Sequence, residues 1–207
     1  MRRSKGFTLI ELLAVIVILG VIMLIAIPSV TGYITSSRKN SFASTGANII
    51  DAVRKYAITA NGLPNYTGDK VVYRVVDQNG KIAVKLDSGG TKSAFGAAWK
   101  PGYNYVVIEA TDNNNYNYYY AGYDASGNFI PLTLEDELKG GVVQNVSELS
   151  DGETIDSKIK KLPTDDSDDS VWADDVDFVD NYNIAISGTA DNVRLYRLYP
   201  NNGDVLL

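Results

Sequence analysis

Residues 6–30 read GFTLIELLAVIVILGVIMLIAIPSV, and this segment decides the fold. Glu11 is its only charged residue. A helix from Phe7 to Val30, rising about 1.5 Å per residue, is roughly 36 Å long and can cross a bilayer. The sequence therefore predicts a membrane helix, here called the N-terminal apolar segment (residues 7–30).

Charges on either side of this segment predict its orientation. Arg2, Arg3 and Lys5 precede it, whereas the chain beyond it is acidic and the formal net charge of the whole sequence is −6. The positive-inside rule places the basic end in the cytoplasm and the remainder outside. The apolar run is too long for a secretory signal peptide, and Ile27 to Val30 offer no A-x-A-like cleavage site, so an uncleaved signal anchor is the plain alternative.

Glu11 argues against that plain alternative. A carboxylate near the bilayer interior costs several kcal/mol unless it is paired. Glu11 lies one helical turn after Phe7, and a small residue, Gly6, stands just before the apolar run. If the chain is cut after Gly6, the new α-amine of Phe7 can be neutralised by the carboxylate of a neighbouring copy.

These residues resemble the prepilin signature of the type IV pilin family, in which a Gly is followed by Phe-Thr-Leu-x-Glu and a hydrophobic helix. The resemblance implies cleavage between Gly6 and Phe7 by a prepilin peptidase, N-methylation of Phe7, and assembly that depends on Glu11. It extends strongly over about the first 30 residues and loosely to about residue 60. The resemblance also implies that the helix can loosen near Gly20 and Pro28, as pilin helices do at a comparable proline. Proline and glycine both weaken a helix.

The helix continues beyond the apolar segment with a different character. Asp51 and Arg54 occupy one face at a favourable spacing, and Asn61-Gly62 followed by Pro64 is a stop signal. The opposite face, at a spacing of 3, 4 and 7, carries Phe42, Gly46, Ile49, Ile50, Val53, Tyr56, Ala57 and Ala60. The predicted organisation is a cleaved leader (1–6), the transmembrane and polymerisation helix (7–30), its amphipathic continuation (31–62) and an extracellular head (63–207).

The head is predicted to be an antiparallel β-sheet. Strand-like stretches at 71–76, 81–86, 103–111, 116–123 and 129–134 alternate with polar turns, and 134–138 suggests a short helix. A final hairpin joins 182–187 to 193–199 around residues 188–192. The predicted class is α+β, with the long helix packed on the sheet as in type IV pilins.

Composition excludes several kinds of chemistry. The chain has no cysteine and no histidine, which removes disulfides, thiol nucleophiles and imidazole bases. No catalytic motif is present, so the sequence predicts a protein that is not an enzyme and needs no cofactor. The acidic balance argues against nucleic-acid binding along the whole head and leaves a local DNA contact open.

One acidic cluster raises the question of a metal. Asp165, Asp166, Asp168 and Asp169 begin a run of eight aspartates that ends at Asp180. Calcium binds six to eight oxygens of such loops, but the spacing is not that of an EF-hand. A solvated acidic loop is the favoured interpretation, and calcium is the alternative.

The leading functional hypothesis is a structural subunit of a type IV pilus, serving adhesion, surface motility, biofilm formation or DNA uptake. The resemblance implies other copies, the prepilin peptidase, an inner-membrane platform protein and assembly and retraction ATPases as partners, with nucleic acid only in a competence role. The subunit would lie in the membrane before assembly and in an extracellular filament afterwards.

Two other hypotheses remain open. A pseudopilin of a type II secretion or competence system shares every N-terminal feature, and a monomeric membrane-anchored binding or enzymatic domain is an alternative of another class. Many Gram-negative pilins carry a C-terminal cysteine pair, and its absence here favours a Gram-positive source.

Overall fold

The structure is a computed structural model that describes residues 6–59, 62–76, 80–82, 86, 92–112, 115–162, 182–190 and 193–200, the last two ranges by their backbone alone. The chain divides into two compact units, Met1–Arg38 and Lys39–Leu207. Helix α1 runs from Leu9 to Thr59 and continues through Gly20 and Pro28 without a break. It ends just before the predicted stop signal, so the long helix is confirmed, while loosening at Gly20 and Pro28 stays a prediction.

The second part of α1 is amphipathic, as its spacing predicts. Tyr56 is partly buried and meets Tyr73 edge to face at 6.0 Å, whereas Ala60 lies outside the described residues. Arg54 contacts Asp51 at 2.5 Å, as the spacing of the two residues predicts. The buried residues of the helix are Phe42, Ala43, Gly46, Ile49, Ile50, Ala52, Val53 and Ala57.

The remaining elements form an antiparallel sheet. Its strands are β1 (Lys70–Arg74), β2 (Tyr105–Ala110), β3 (Tyr116–Tyr123), β4 (Asn128–Leu134), β5 (Gln144–Asn145), β6 (Tyr182–Ala190) and β7 (Val193–Pro200), in the spatial order β5-β4-β3-β2-β1-β7-β6. A short helix, α2, spans Ile155–Lys158. The predicted α+β class, with a long N-terminal helix and an antiparallel sheet, is confirmed.

The pairing of β1 differs from the predicted hairpin of 71–76 with 81–86. Strand β1 ends at Arg74 and pairs with β2 on one edge and β7 on the other. Because both edges are occupied, the 81–86 segment can meet this stretch only beyond the strand, and one antiparallel bridge joins Val76 to Ile82. Residues 83–85 lie outside the described ranges.

Smaller boundaries also differ from the prediction, two of them in ways that change an element. Strand β6 continues to Ala190, so residues 188–190 belong to the strand rather than to the turn, and a register shift between Ile186 and Gly188 accommodates the extra length. The short helix expected at 134–138 is a single 3₁₀ turn at Glu135–Glu137. Both differences concern how far an element extends.

The main core lies between the buried face of α1 and one face of the sheet. Phe42 meets the ring of Trp99 at a centroid distance of 5.1 Å, and Tyr73 and Tyr120 are fully buried beside the helix. Gly46 lies directly against the ring of Tyr120: a Cβ at this position would be 2.6 Å from Cδ1 and 2.9 Å from Cε1. A glycine is therefore needed where the helix passes over this ring.

Replacing Gly46 with alanine is expected to lower the free energy of unfolding by about 1–3 kcal/mol, the usual cost of overpacking a core. Tyr120 cannot easily move away, because its hydroxyl donates to Asn104 Oδ1 at 3.3 Å and also lies against Gly122. Thermal unfolding of the full chain in detergent measures the effect. Gly141→Ala is the matched control, since a Cβ there meets nothing within 4 Å; equal melting temperatures for the two variants would contradict the packing argument.

A second, smaller core covers part of the opposite face of the sheet. Its residues are Val72, Tyr105, Val107, Ala121, Phe129, Ile159 and Leu162. The segment that contributes the last two is fixed by Leu162 N–H, which donates to Gly102 O at 2.7 Å, and by the Tyr103 hydroxyl, which donates to Asp156 at 2.7 Å. Burial, together with this carboxylate, raises the pKa of Tyr103. The sheet is thus covered on both faces over part of its area.

Asp124 is a buried carboxylate that connects two loops of the head. Its Oδ1 accepts from the backbone N–H groups of Ser126 and Asn128, both at 2.9 Å, and its Oδ2 accepts from the Ser93 hydroxyl at 2.6 Å. The bonds join the β3–β4 turn to the loop that leads to Trp99. Asp124 is therefore a structural residue, which the sequence analysis did not identify.

Candidate functional site

The side chains of the N-terminal apolar segment are exposed around the whole circumference of the helix. Every residue from Gly6 to Arg38 is exposed, including Phe7 at 79% and Leu9 at 81% of their full surface. Among the described residues, α1 is the one helix long and apolar enough to cross a membrane, judged by length and composition. Exposed apolar surface of this extent is a mark of a membrane or protein contact.

Glu11 is held at the start of the helix by Thr8. The backbone N–H and the hydroxyl of Thr8 both donate to Glu11 Oε2 at 2.8 Å, and the Thr8 hydroxyl oxygen accepts from the Glu11 N–H at 3.3 Å. With the helix beginning at Leu9, Thr8 is the N-cap and Glu11 the third helical residue, so the pair forms a capping box. The box was not part of the sequence interpretation, although its T-x-x-E spacing is visible there.

The other predicted site residues are placed as follows. Gly6 and Phe7 precede the first turn of α1, and Gly6 has open space where a Cβ would be. Pro28 is followed by Ser29 and Thr31, whose hydroxyls donate back to the carbonyls of Ile25 (3.3 Å) and Ile27 (2.9 Å). Cleavage after Gly6 and methylation of Phe7 remain predictions.

The acidic cluster of Asp165, Asp166, Asp168 and Asp169 lies outside the described residues. In the part of the chain that the structure does describe, no three Asp, Glu, His or Cys residues come together in a way that could hold a metal ion. Calcium binding by the cluster therefore stays a prediction.

Arg54 joins the helix to the sheet by contacts with Glu135 and Tyr118 that the sequence did not indicate. Its guanidinium contacts Glu135 at 2.5 Å as well as Asp51, and it lies over the ring of Tyr118 at 4.3 Å from the centroid. Lys39 approaches Glu148 at 3.7 Å nearer the start of the buried part of the helix. These contacts fix the head on the helix and show no catalytic geometry.

Comparisons with known proteins agree with the geometry of the N-terminal segment. The model of the prokaryotic N-terminal methylation motif matches residues 1–27, which include Gly6, Phe7 and Glu11. Over 62 residues the chain is 37% identical to the type IV narrow pilus major component PilA5 of Thermus thermophilus. The chain is similar to type IV pilins over these residues. The alignment covers 30% of the chain and 53% of that relative, so the chain spans about half the relative's length.

No solved structure matches the chain. The two sequence matches support a pilin or pseudopilin subunit, and the family that they indicate is one of structural subunits rather than a known family of enzymes.

Proposed function

We propose that this chain is the structural subunit of a type IV pilus, polymerised through its N-terminal apolar segment after cleavage between Gly6 and Phe7. The observation that carries the proposal is an apolar helix exposed on all sides with a single carboxylate, Glu11, in its first turn. Lipid covers such a helix at no cost before assembly, because lipid chains are as apolar as its side chains. Outside the membrane, other copies of the same helix must cover it.

The position of Glu11 supplies a rule for how neighbouring copies meet. Cleavage gives Phe7 an α-amine, which we expect to be methylated and to remain positively charged. Within an apolar bundle an amine needs a nearby anion, and Glu11 of a neighbouring copy is the acid that the segment offers. Because Phe7 and Glu11 are four residues apart, this pairing offsets adjacent helices by up to about 6 Å along their axes.

The proposal assigns the remaining parts of the chain as well. The head, with its two cores, lies outside the cell and coats the filament, and the basic leader stays in the cytoplasm until it is removed. A prepilin peptidase, an inner-membrane platform protein and assembly and retraction ATPases are the expected partners. Adhesion, surface motility, biofilm formation and DNA uptake are the roles that such a filament would serve.

The test is to shear filaments from the cell surface and sequence the N-terminus of this chain by mass spectrometry. We expect a chain that begins with methylated Phe7 and labels along the whole filament length. A mature chain that remains in the envelope fraction, with no surface filament, would indicate a pseudopilin. Finding only monomers that begin at Met1 would contradict both and favour a membrane-anchored domain.

A further inference from the structure

The contacts of Glu11 are divided unequally between its two carboxylate oxygens. Oε2 accepts both donors of Thr8, the backbone N–H and the hydroxyl, each at 2.8 Å. Oε1 accepts from no residue that the structure describes. One oxygen is therefore held within the chain and the other is open to a partner.

No other side chain in the same stretch can donate a hydrogen bond to Glu11 in place of Thr8. Between Phe7 and Pro28, Thr8 and Glu11 are the only residues whose side chains carry an oxygen or nitrogen. In lipid, the N–H groups of the first helical turn have no water to bond, and unsatisfied groups there are costly. The capping box gives the N–H groups of Thr8 and Glu11 side-chain acceptors.

We propose that Thr8 is a positioning residue, which holds the Glu11 carboxylate so that Oε1 is presented to the α-amine of a neighbouring copy. This inference rests on the proposed function. A free glutamate side chain rotates about three bonds and loses that freedom when it pairs, whereas a carboxylate already held by two donors loses little. The hydrogen bonds also draw the carboxylate back towards residue 8, closer to the level of Phe7.

Thr8→Val tests the proposal, because valine keeps the shape of threonine and removes the hydroxyl. We expect the amount of sheared filament, normalised to processed chain in the cell, to fall about fivefold or more, as for loss of an N-cap. Thr8→Ser restores the hydroxyl and should restore the yield.

The outcomes separate this inference from the proposed function. If Glu11→Gln abolishes filaments while Thr8→Val assembles like the wild type, the positioning role is wrong and the proposed function stands. If both variants assemble normally, the pairing of Glu11 with the amine of a neighbouring copy is wrong as well, whereas a wild-type chain that forms no surface filament would overturn the proposed function itself.

A second measurement does not depend on cleavage, which takes place two residues before Thr8. In the full-length precursor in detergent, exchange of the residue 8 amide hydrogen should be slow in the wild type and in Thr8→Ser, and faster in Thr8→Val. Equal exchange in all three would overturn the proposal.

Discussion

Glu11→Gln is expected to remove the chain from surface filaments while its processing after Gly6 continues. Glutamine has nearly the size of glutamate, and its side-chain oxygen can still accept from the Thr8 N–H and hydroxyl, so the capping box is largely kept. What disappears is the negative charge that would neutralise the amine of a neighbouring Phe7. An amine left unpaired in an apolar bundle costs about 3–5 kcal/mol, which weakens association at least a hundredfold.

The measurement is the amount of this chain in sheared filaments, relative to processed chain in the cell, when the variant is produced beside the wild type. Ser29→Ala is the matched control, because Ser29 is a polar residue of the same segment whose hydroxyl donates to a carbonyl of its own helix. We expect the control to assemble at nearly the wild-type level. Normal incorporation of Glu11→Gln would show that the charge of Glu11 does not drive assembly.

The long helix was predictable because its signals are local. The apolar run and the spacing from Phe42 to Ala57 lie within the helix that they predict, and the stop signal Asn61-Gly62 comes shortly after its last residue, Thr59. The pairing of β1 was not predictable in the same way. Its neighbours β2 and β7 are distant in sequence, and no feature of residues 70–74 indicates that other strands pair with both edges of β1.

The second core was not predictable from the sequence either. Ile155, Ile159 and Leu162 lie among polar residues with neither the period of a strand nor that of a long helix, so they do not suggest a buried layer. The packing of this segment depends on contacts with residues far away in sequence, such as Tyr103. Local sequence patterns do not indicate those contacts.

The candidate site was predictable in part. The sequence points to Gly6, Phe7 and Glu11 because a carboxylate is exceptional in an apolar segment, and their roles in cleavage, methylation and assembly stay predictions. It did not reveal the role of Thr8, since Glu11 was interpreted only as a partner for another chain. The T-x-x-E spacing is enough to predict the capping box. Only the structure shows that one oxygen of the Glu11 carboxylate accepts both hydrogen bonds while the other oxygen is open.

Asp124→Ala is expected to lower the free energy of unfolding by roughly 3–5 kcal/mol, the range reached when a buried hydrogen-bond network is broken. The substitution leaves the backbone N–H groups of Ser126 and Asn128 and the hydroxyl of Ser93 without their acceptor. It also frees the loop that carries Trp99, which packs against Phe42 of the helix. For a chain of this size the melting temperature should fall by about 10 °C.

Asp112 provides the matched control, because it too lies in a hairpin turn of the sheet but is exposed. Asp112→Ala should change the free energy of unfolding by less than about 0.5 kcal/mol, as for most surface substitutions. Denaturant unfolding of the full chain in detergent, followed by tryptophan fluorescence, measures both variants. If the two aspartates prove equivalent, water has replaced the Asp124 carboxylate and the network contributes little. Asp124→Ala chains that unfold at a lower denaturant concentration but still form filaments at low temperature would show that the stability of the head and the assembly of the N-terminal segment are separable. A pairing rule confined to Phe7, Thr8 and Glu11 requires this result.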